Sequence, residues 1–160
     1  RVKFPVWFDP HAKNGTPMCQ ALDLAARMAR QWIDHHPASF PPVVVNVTDG
    51  EATDGDPLRF AQQLRSFATD DGEVLLFNVH LSDSEEPAVE LPSRRQELPH
   101  DDEHAEVLYQ MSSLLPFSMR SAAEQEGYTV DLDTRGFVFN ADPVALVRFL
   151  EIGTRPSNLR

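Results

Sequence analysis

The sequence predicts an α/β fold: a doubly wound, mostly parallel sheet with helices on both faces. Three observations carry that prediction. Residues 43–47 and 74–79 are apolar at nearly every position, the pattern of strands covered on both sides. An amphipathic stretch lies between them, so strand, helix and strand alternate and imply a right-handed parallel crossover. A capping residue followed by proline, as in Thr16-Pro17, Asp56-Pro57 and Asp142-Pro143, marks three helix starts.

Taken in order, the first ten residues are extended, because Pro5 and Pro10 forbid a helix through them. Asn14 and Gly15 form a turn. Thr16 then caps a helix in which Met18, Leu22, Ala25, Ala29 and Trp32 make one apolar stripe as far as His35. Trp7 and Trp32 read as core. Pro37, Pro41 and Pro42 end that helix, and the β-branched run 43–47 is a central strand. After an acidic loop, Leu58, Ala61, Leu64 and Phe67 form a second helical stripe. Asp70, Asp71 and Gly72 turn the chain into the strand at 74–79.

Residues 81–104 carry Pro87, Pro92 and Pro99 among many charges and read as a long surface loop. Two short helices follow, at 105–115 and 117–126. A third strand spans 136–139, and a last helix runs from Pro143 to about Ile152, closed by Gly153. Asp49, His80 and Asn140 fall at the carboxyl ends of the three strands, where open α/β sheets place their chemistry.

The chain has 160 residues, 41% of them hydrophobic and 24% charged, which suits one globular domain over 1–160. Its net charge of -11 argues against nucleic acid and against an anionic membrane surface. A lone cysteine, Cys19, forms no disulfide within the chain and leans towards a reducing, cytoplasmic setting. No apolar run approaches the ~20 residues of a membrane helix, so no membrane insertion is expected. The opening residues show neither a signal-peptide pattern nor an initiating Met, and the chain reads as starting inside a larger domain.

The acidic loop, Asp49 to Asp56, raises the question of function. Asp49, Glu51, Asp54 and Asp56 repel one another unless the loop is well solvated or a cation lies among them. Hard divalent cations take carboxylate and hydroxyl oxygens. A strand ending in Thr48-Asp49-Gly50 delivers one carboxylate to a fixed point, and Gly50 lets the backbone turn away. Asp49 also reads as an ordinary turn aspartate. Glu51, Asp54 and Asp56 read as a solvated loop and a cap for the next helix.

Two strings resemble the von Willebrand factor A domain family: VVVNVTDGEATDGD its fourth strand and following loop, GTPMCQALDLA its preceding threonine loop and helix. The later strings VLLFNVHL and RGFVFNADPVALVRFLEIGT are similar to its fifth and sixth strands and last helix. The resemblance covers most of residues 14–154. It implies a Rossmann-like domain that binds Mg²⁺ or Mn²⁺ in a metal-ion-dependent adhesion site, with Thr16 and Asp49 among the metal's ligands. A partner protein's Asp or Glu carboxylate would complete the metal's shell.

The family's Asp-x-Ser-x-Ser loop has no counterpart here. Leu81-Ser82-Asp83-Ser84-Glu85 has the wrong order and lies on another loop. The resemblance therefore implies a domain missing its N-terminal strands, these being a separate chain, a cleaved segment or residues beyond this sequence. Without the first strand, residues 43–47 become an exposed apolar edge.

Two other readings remain open at the level of sequence. One is a metal- or cysteine-dependent hydrolase, with Cys19 in the first turn of a helix and His11 or His80 as its base. The other is a structural subunit of a larger assembly with no bound metal. His35-His36 sits at a helix end that favours positive charge. The run Asp101-Asp102-Glu103-His104 opens a helix, its acids complementing the helix N-terminus, and offers a weaker second metal site.

Overall fold

Proline after a capping residue fixes a helix start, because its missing N–H is one that the first turn leaves unpaired anyway. In the computed structural model, which describes residues 15–154, all three such pairs open helices. These are α1 (Met18–His35), α2 (Pro57–Arg65) and α5 (Pro143–Thr154). Between them lie α3 (Glu103–Met111) and α4 (Phe117–Gln125). The strands are β1 (Val43–Thr48), β2 (Ala68–Thr69), β3 (Gly72–Glu73), β4 (Leu75–His80), β5 (Val89–Glu90) and β6 (Phe137–Phe139).

The main sheet has the order β1-β4-β6-β5. β1, β4 and β6 run parallel, in a register that sets Val45 beside Phe77 and Val79 beside Val138. β5 is antiparallel to β6, and β2 and β3 form a separate small hairpin. Every residue of β4 is buried, as the central position demands.

Alternation along the strands sorts side chains between two cores. Val44, Leu76, Phe137 and Phe139 pack with α1, α2 and α3, whereas Val45, Phe77, Val79 and Val138 pack with α4 and α5. Helices thus cover both faces of a mostly parallel sheet, as the sequence predicts. Among the described residues no helix is long and apolar enough to cross a membrane.

Among the described residues β1 lies at the edge of the main sheet. Its one partner among the described residues is β4, and Val47 is 55% exposed. The expectation of a central strand at 43–47 needs correction: among the described residues β4 takes the central place and β1 is only partly buried.

Some expectations need correction. Trp32 is 50% exposed and not core. Its indole N–H donates to Ser39 Oγ at 3.3 Å, and its ring lies against His36. At 3.6 residues per turn the buried face of α1 passes instead through Met18, Leu22, Ala26, Ala29 and Ile33. Gly153 does not end the last helix; it lies within α5, buried. Space explains the glycine, since a Cβ there would stand 3.0 Å from Phe77 Cε2. On the other side of that ring, a Cβ on Gly136 would fall 2.1 Å from Phe77 Cδ1.

The segment 81–104 contains more order than a surface loop. It holds β5 and a 3₁₀ turn at Arg95–Glu97, and it buries Leu91, Pro92 and Leu98. Leu91 does this with φ of 51°. Trp7, His11 and the extended first ten residues lie outside the described residues.

Candidate functional site

The Thr-Asp-Gly turn is built from the end of β1. Thr48 is buried, and its hydroxyl oxygen accepts the Gly50 N–H at 3.0 Å. The same hydroxyl reaches Asp49 Oδ1 at 3.5 Å. Gly50 has φ of 103°, open to glycine and rarely to other residues. Space demands glycine as well: a Cβ would lie 2.6 Å from both His104 Cβ and His80 Cε1. The turn is wedged between two histidines, which leaves the Asp49 carboxylate exposed at the rim.

His80, the last residue of β4, is 1% exposed. A carboxylate only accepts hydrogen bonds, so His80 Nε2–H donates to Asp102 Oδ2, at 3.0 Å. The other Asp102 oxygen accepts the Ala105 N–H at 2.9 Å and caps α3. Partial burial pulls the Asp102 carboxyl upward. The Ala105 N–H and His80 outweigh that and hold it below the ordinary carboxylate range. His80 Nδ1 is buried without a hydrogen-bond partner among the described residues.

These elements border a cleft of about 670 Å³ at the carboxyl end of β1 and β4. Six acids line it: Asp49, Glu51, Asp83, Asp101, Asp102 and Glu103. Ser82 and Ser84 add hydroxyls. The 82–84 loop is clasped by Asn140, whose Oδ1 accepts the Ser82 N–H at 2.7 Å and whose Nδ2 donates to the Ser84 carbonyl at 3.0 Å. A low-dielectric wall with this much negative charge favours cations. The Asp101–His104 run contributes to this cleft, but Asp102 is already committed to His80 and the helix cap.

Thr16 lies outside the lining of that cleft. It is joined to the loop beyond Asp49 through Thr53. The Thr16 N–H donates to Thr53 Oγ1 at 2.8 Å, and the Thr53 N–H donates to the Thr16 carbonyl at 3.0 Å. The structure therefore brings the start of α1 and the acidic loop together at one end of β1. Thr16 does not cap α1 as expected. Asp54 does so from across the loop, its two oxygens accepting the N–H groups of Cys19 and Gln20 at 3.0 and 2.9 Å. The Thr16 hydroxyl has no hydrogen-bond partner among the described residues. Asp56 caps α2, as expected, accepting the Leu58 N–H at 3.0 Å.

Asp54 also decides the fate of Cys19. The thiol is buried, and burial together with the Asp54 carboxylate pushes it up to about 11. The expected thiolate-stabilising helix start is overridden by burial and by that acid, and His80, the base within the described residues, is paired to Asp102. Sequence reasoning placed His80 at a strand end but missed its partner, which lies 22 residues away.

Among the described residues no three side chains drawn from His, Cys, Asp and Glu gather closely enough to hold a metal ion. Thr16 and Asp49 are oxygen donors suited to Mg²⁺ but supply only part of a six-oxygen shell. Comparison with known protein families, with curated proteins and with solved structures finds no match.

Proposed function

We propose that this chain is the C-terminal portion of a von Willebrand factor A-type domain, of Rossmann-like doubly wound topology. Its proposed role is to bind another protein through Mg²⁺ or Mn²⁺. Thr16 and Asp49 would contribute to holding the ion. Further protein ligands would come from a segment outside the described residues, and a partner's Asp or Glu would take the vacant position. The ion supplies a positive centre that a carboxylate can bind directly.

The observation that carries this reading is the joint between Thr16 and Thr53, which holds the α1 start against the loop following Asp49. The Thr16 hydroxyl, without a hydrogen-bond partner among the described residues, supports it, because Asp54 has taken over the capping that would otherwise occupy that group. The outer edge of β1, which no strand among the described residues covers, supports it as well. The resemblance places the family's first strand there, together with the Asp-x-Ser-x-Ser loop. Burial and the neighbouring Asp54, which raise the Cys19 thiol, favour this reading over the thiol-hydrolase alternative.

The test is Mn²⁺ binding to the full-length protein, followed by loss of the free-ion signal in electron paramagnetic resonance. Saturable binding displaced by Mg²⁺ is expected. Asp49→Ala should abolish it and Thr16→Ala weaken it, with the circular dichroism spectrum unchanged. Binding that persists in Asp49→Ala overturns the proposal.

A further inference from the structure

At the opposite end of β4 from the acidic cleft, two arginines converge on one oxygen. Arg65 Nη1 donates to the Ser112 carbonyl at 3.0 Å, and Arg135 Nη1 donates to the same carbonyl at 2.6 Å. Ser112 ends α3, so its carbonyl is an orphan acceptor of the last turn. One cation suffices to satisfy it. A second guanidinium brought to the same atom adds repulsion, in a chain whose net charge of -11 offers acids in plenty.

Neither arginine is ion-paired to an acid within 4.0 Å among the described residues. Arg65 Nε is buried and has no hydrogen-bond partner among the described residues. Arg135 stands over the Tyr109 ring, 5.1 Å from its centre, which fixes the plane of its guanidinium. Burial lowers the Arg65 pKa from its usual value, with Arg135 adding to the effect and Glu73 opposing it. Glu73 itself is exposed.

Both arginines line a cleft of about 490 Å³ whose other walls include Gln62, Ser66, Gln110 and Ser113. Glu73 also lines this cleft, without an ion pair to either arginine; the other polar groups are amides and hydroxyls, able to donate to an anion. Leu114, 46% exposed, forms an apolar lip. Planar, forked guanidiniums set side by side match the oxygens of a carboxylate or phosphate.

We propose that Arg65 and Arg135 form an oxyanion-binding site that takes the carboxylate or phosphate group of a ligand. The anion would neutralise the pair and use the guanidinium nitrogens that the Ser112 carbonyl leaves free. This site is independent of any metal at Asp49: the two clefts sit at opposite ends of β4, ~17 Å apart along a six-residue strand.

The experiment titrates the full-length protein with inorganic phosphate, and separately with acetate, each replacing chloride at constant ionic strength. Nitrogen–proton correlation spectra follow the arginine side chains, and thermal unfolding runs alongside. Saturable shifts at Arg65 and Arg135 are expected, with a raised unfolding midpoint. Tighter phosphate binding assigns a phosphate ligand, and tighter acetate binding a carboxylate ligand; either supports the site. Arg135→Gln is expected to weaken binding roughly tenfold or more, the loss of one charge-assisted hydrogen bond. Because that variant also removes one of the two bonds to the Ser112 carbonyl, Gln62→Glu serves as a second, placing a repelling charge at an exposed position on the cleft wall. It should weaken binding with the fold intact. Absence of saturable shifts with both anions, or affinity unchanged in Gln62→Glu, overturns the proposal.

Discussion

Thr16 and Thr53, 37 residues apart, exchange a reciprocal pair of hydrogen bonds: the N–H of each is bonded to the other residue, at 2.8 and 3.0 Å. One residue beyond Thr53, Asp54 caps α1 from outside the helix. The acidic loop therefore acts as a clamp on the first helix, and its charge is only partly available to a ligand. Removing that clamp should be visible in stability. Asp54→Ala is expected to lower the thermal unfolding midpoint and to speed hydrogen exchange at the Cys19 and Gln20 amides. Desolvation pulls the Asp54 carboxyl up, but the Cys19 and Gln20 N–H groups hold it below its usual 3.8. Its stabilising effect is thus present above pH 3.8 and lost as the pH falls through the lowered value. The gap between wild type and variant should close in acid.

Cys19 should be a poor nucleophile. With its thiol pushed up to about 11, little thiolate exists near pH 8. Alkylation by iodoacetamide at that pH is expected to be at least about 100-fold slower than for a free cysteine. Asp54→Ala should speed it, since that acid contributes to the shift. Rapid labelling of the wild type would restore the thiol-hydrolase reading.

The Asp102 carboxylate links two elements, capping α3 and pairing with His80. Asp102→Ala removes the cap and strands His80 Nε2 in the interior, where Nδ1 is already without a partner. A loss of about 2–4 kcal/mol is expected by denaturant unfolding. Asp102→Asn keeps a capping oxygen and should lose less. Because the folded Asp102 carboxyl lies below its usual range, its stabilisation holds above the ordinary carboxylate pKa and fades as the pH drops through the lowered value.

The Phe77 ring sits between two glycines, and the two should respond differently. Gly136→Ala places a Cβ 2.1 Å from Cδ1 on a buried ring that cannot retreat, so a loss of about 2–3 kcal/mol is expected. Gly153→Ala meets the ring at 3.0 Å. It also gains up to about 1 kcal/mol of helix propensity within α5. Its net effect should be within about 1 kcal/mol of zero. Chemical denaturation of the two variants measures the contrast.

Much of this fold was legible because its signals are local. The cap-proline pairs locate α1, α2 and α5, and apolar runs locate β1 and β4. Trp32 departs from the expectation because a stripe of mixed three- and four-residue steps fits either of two adjacent helix faces, and only packing against the core selects Ile33. Two-residue β5 carries too little pattern to detect, and it exists because β6 offers it an edge. At the candidate site, Asp49 and the α1 start were legible as motif positions. The His80–Asp102 pair and the capping of α1 by Asp54 were not, because each joins residues more than 20 apart in sequence. The two-arginine cleft was missed for the same reason: Arg65 and Arg135 meet only through the end of α3.

Gly50 concentrates two demands that mutation can separate. Its φ of 103° strains any side chain, and the space for a Cβ is already held by His80 and His104 at 2.6 Å. Gly55, in the same loop, has φ of 135° but meets only Cys19 Sγ, at 3.6 Å, an ordinary contact. Gly55→Ala therefore reports backbone strain nearly alone, and a loss of about 1–2 kcal/mol is expected. Gly50→Ala adds the steric conflict and should lose about 3–4 kcal/mol in denaturant unfolding. The neighbours cannot yield cheaply: His80 is buried and pinned by Asp102, and His104 is anchored at its backbone in the first turn of α3. Relief must come from the turn, so Asp49 should move. If Asp49 holds a cation, Gly50→Ala weakens Mn²⁺ binding while Gly55→Ala does not. Equal stability losses in the two variants would mean that His80 and His104 impose no constraint on the turn.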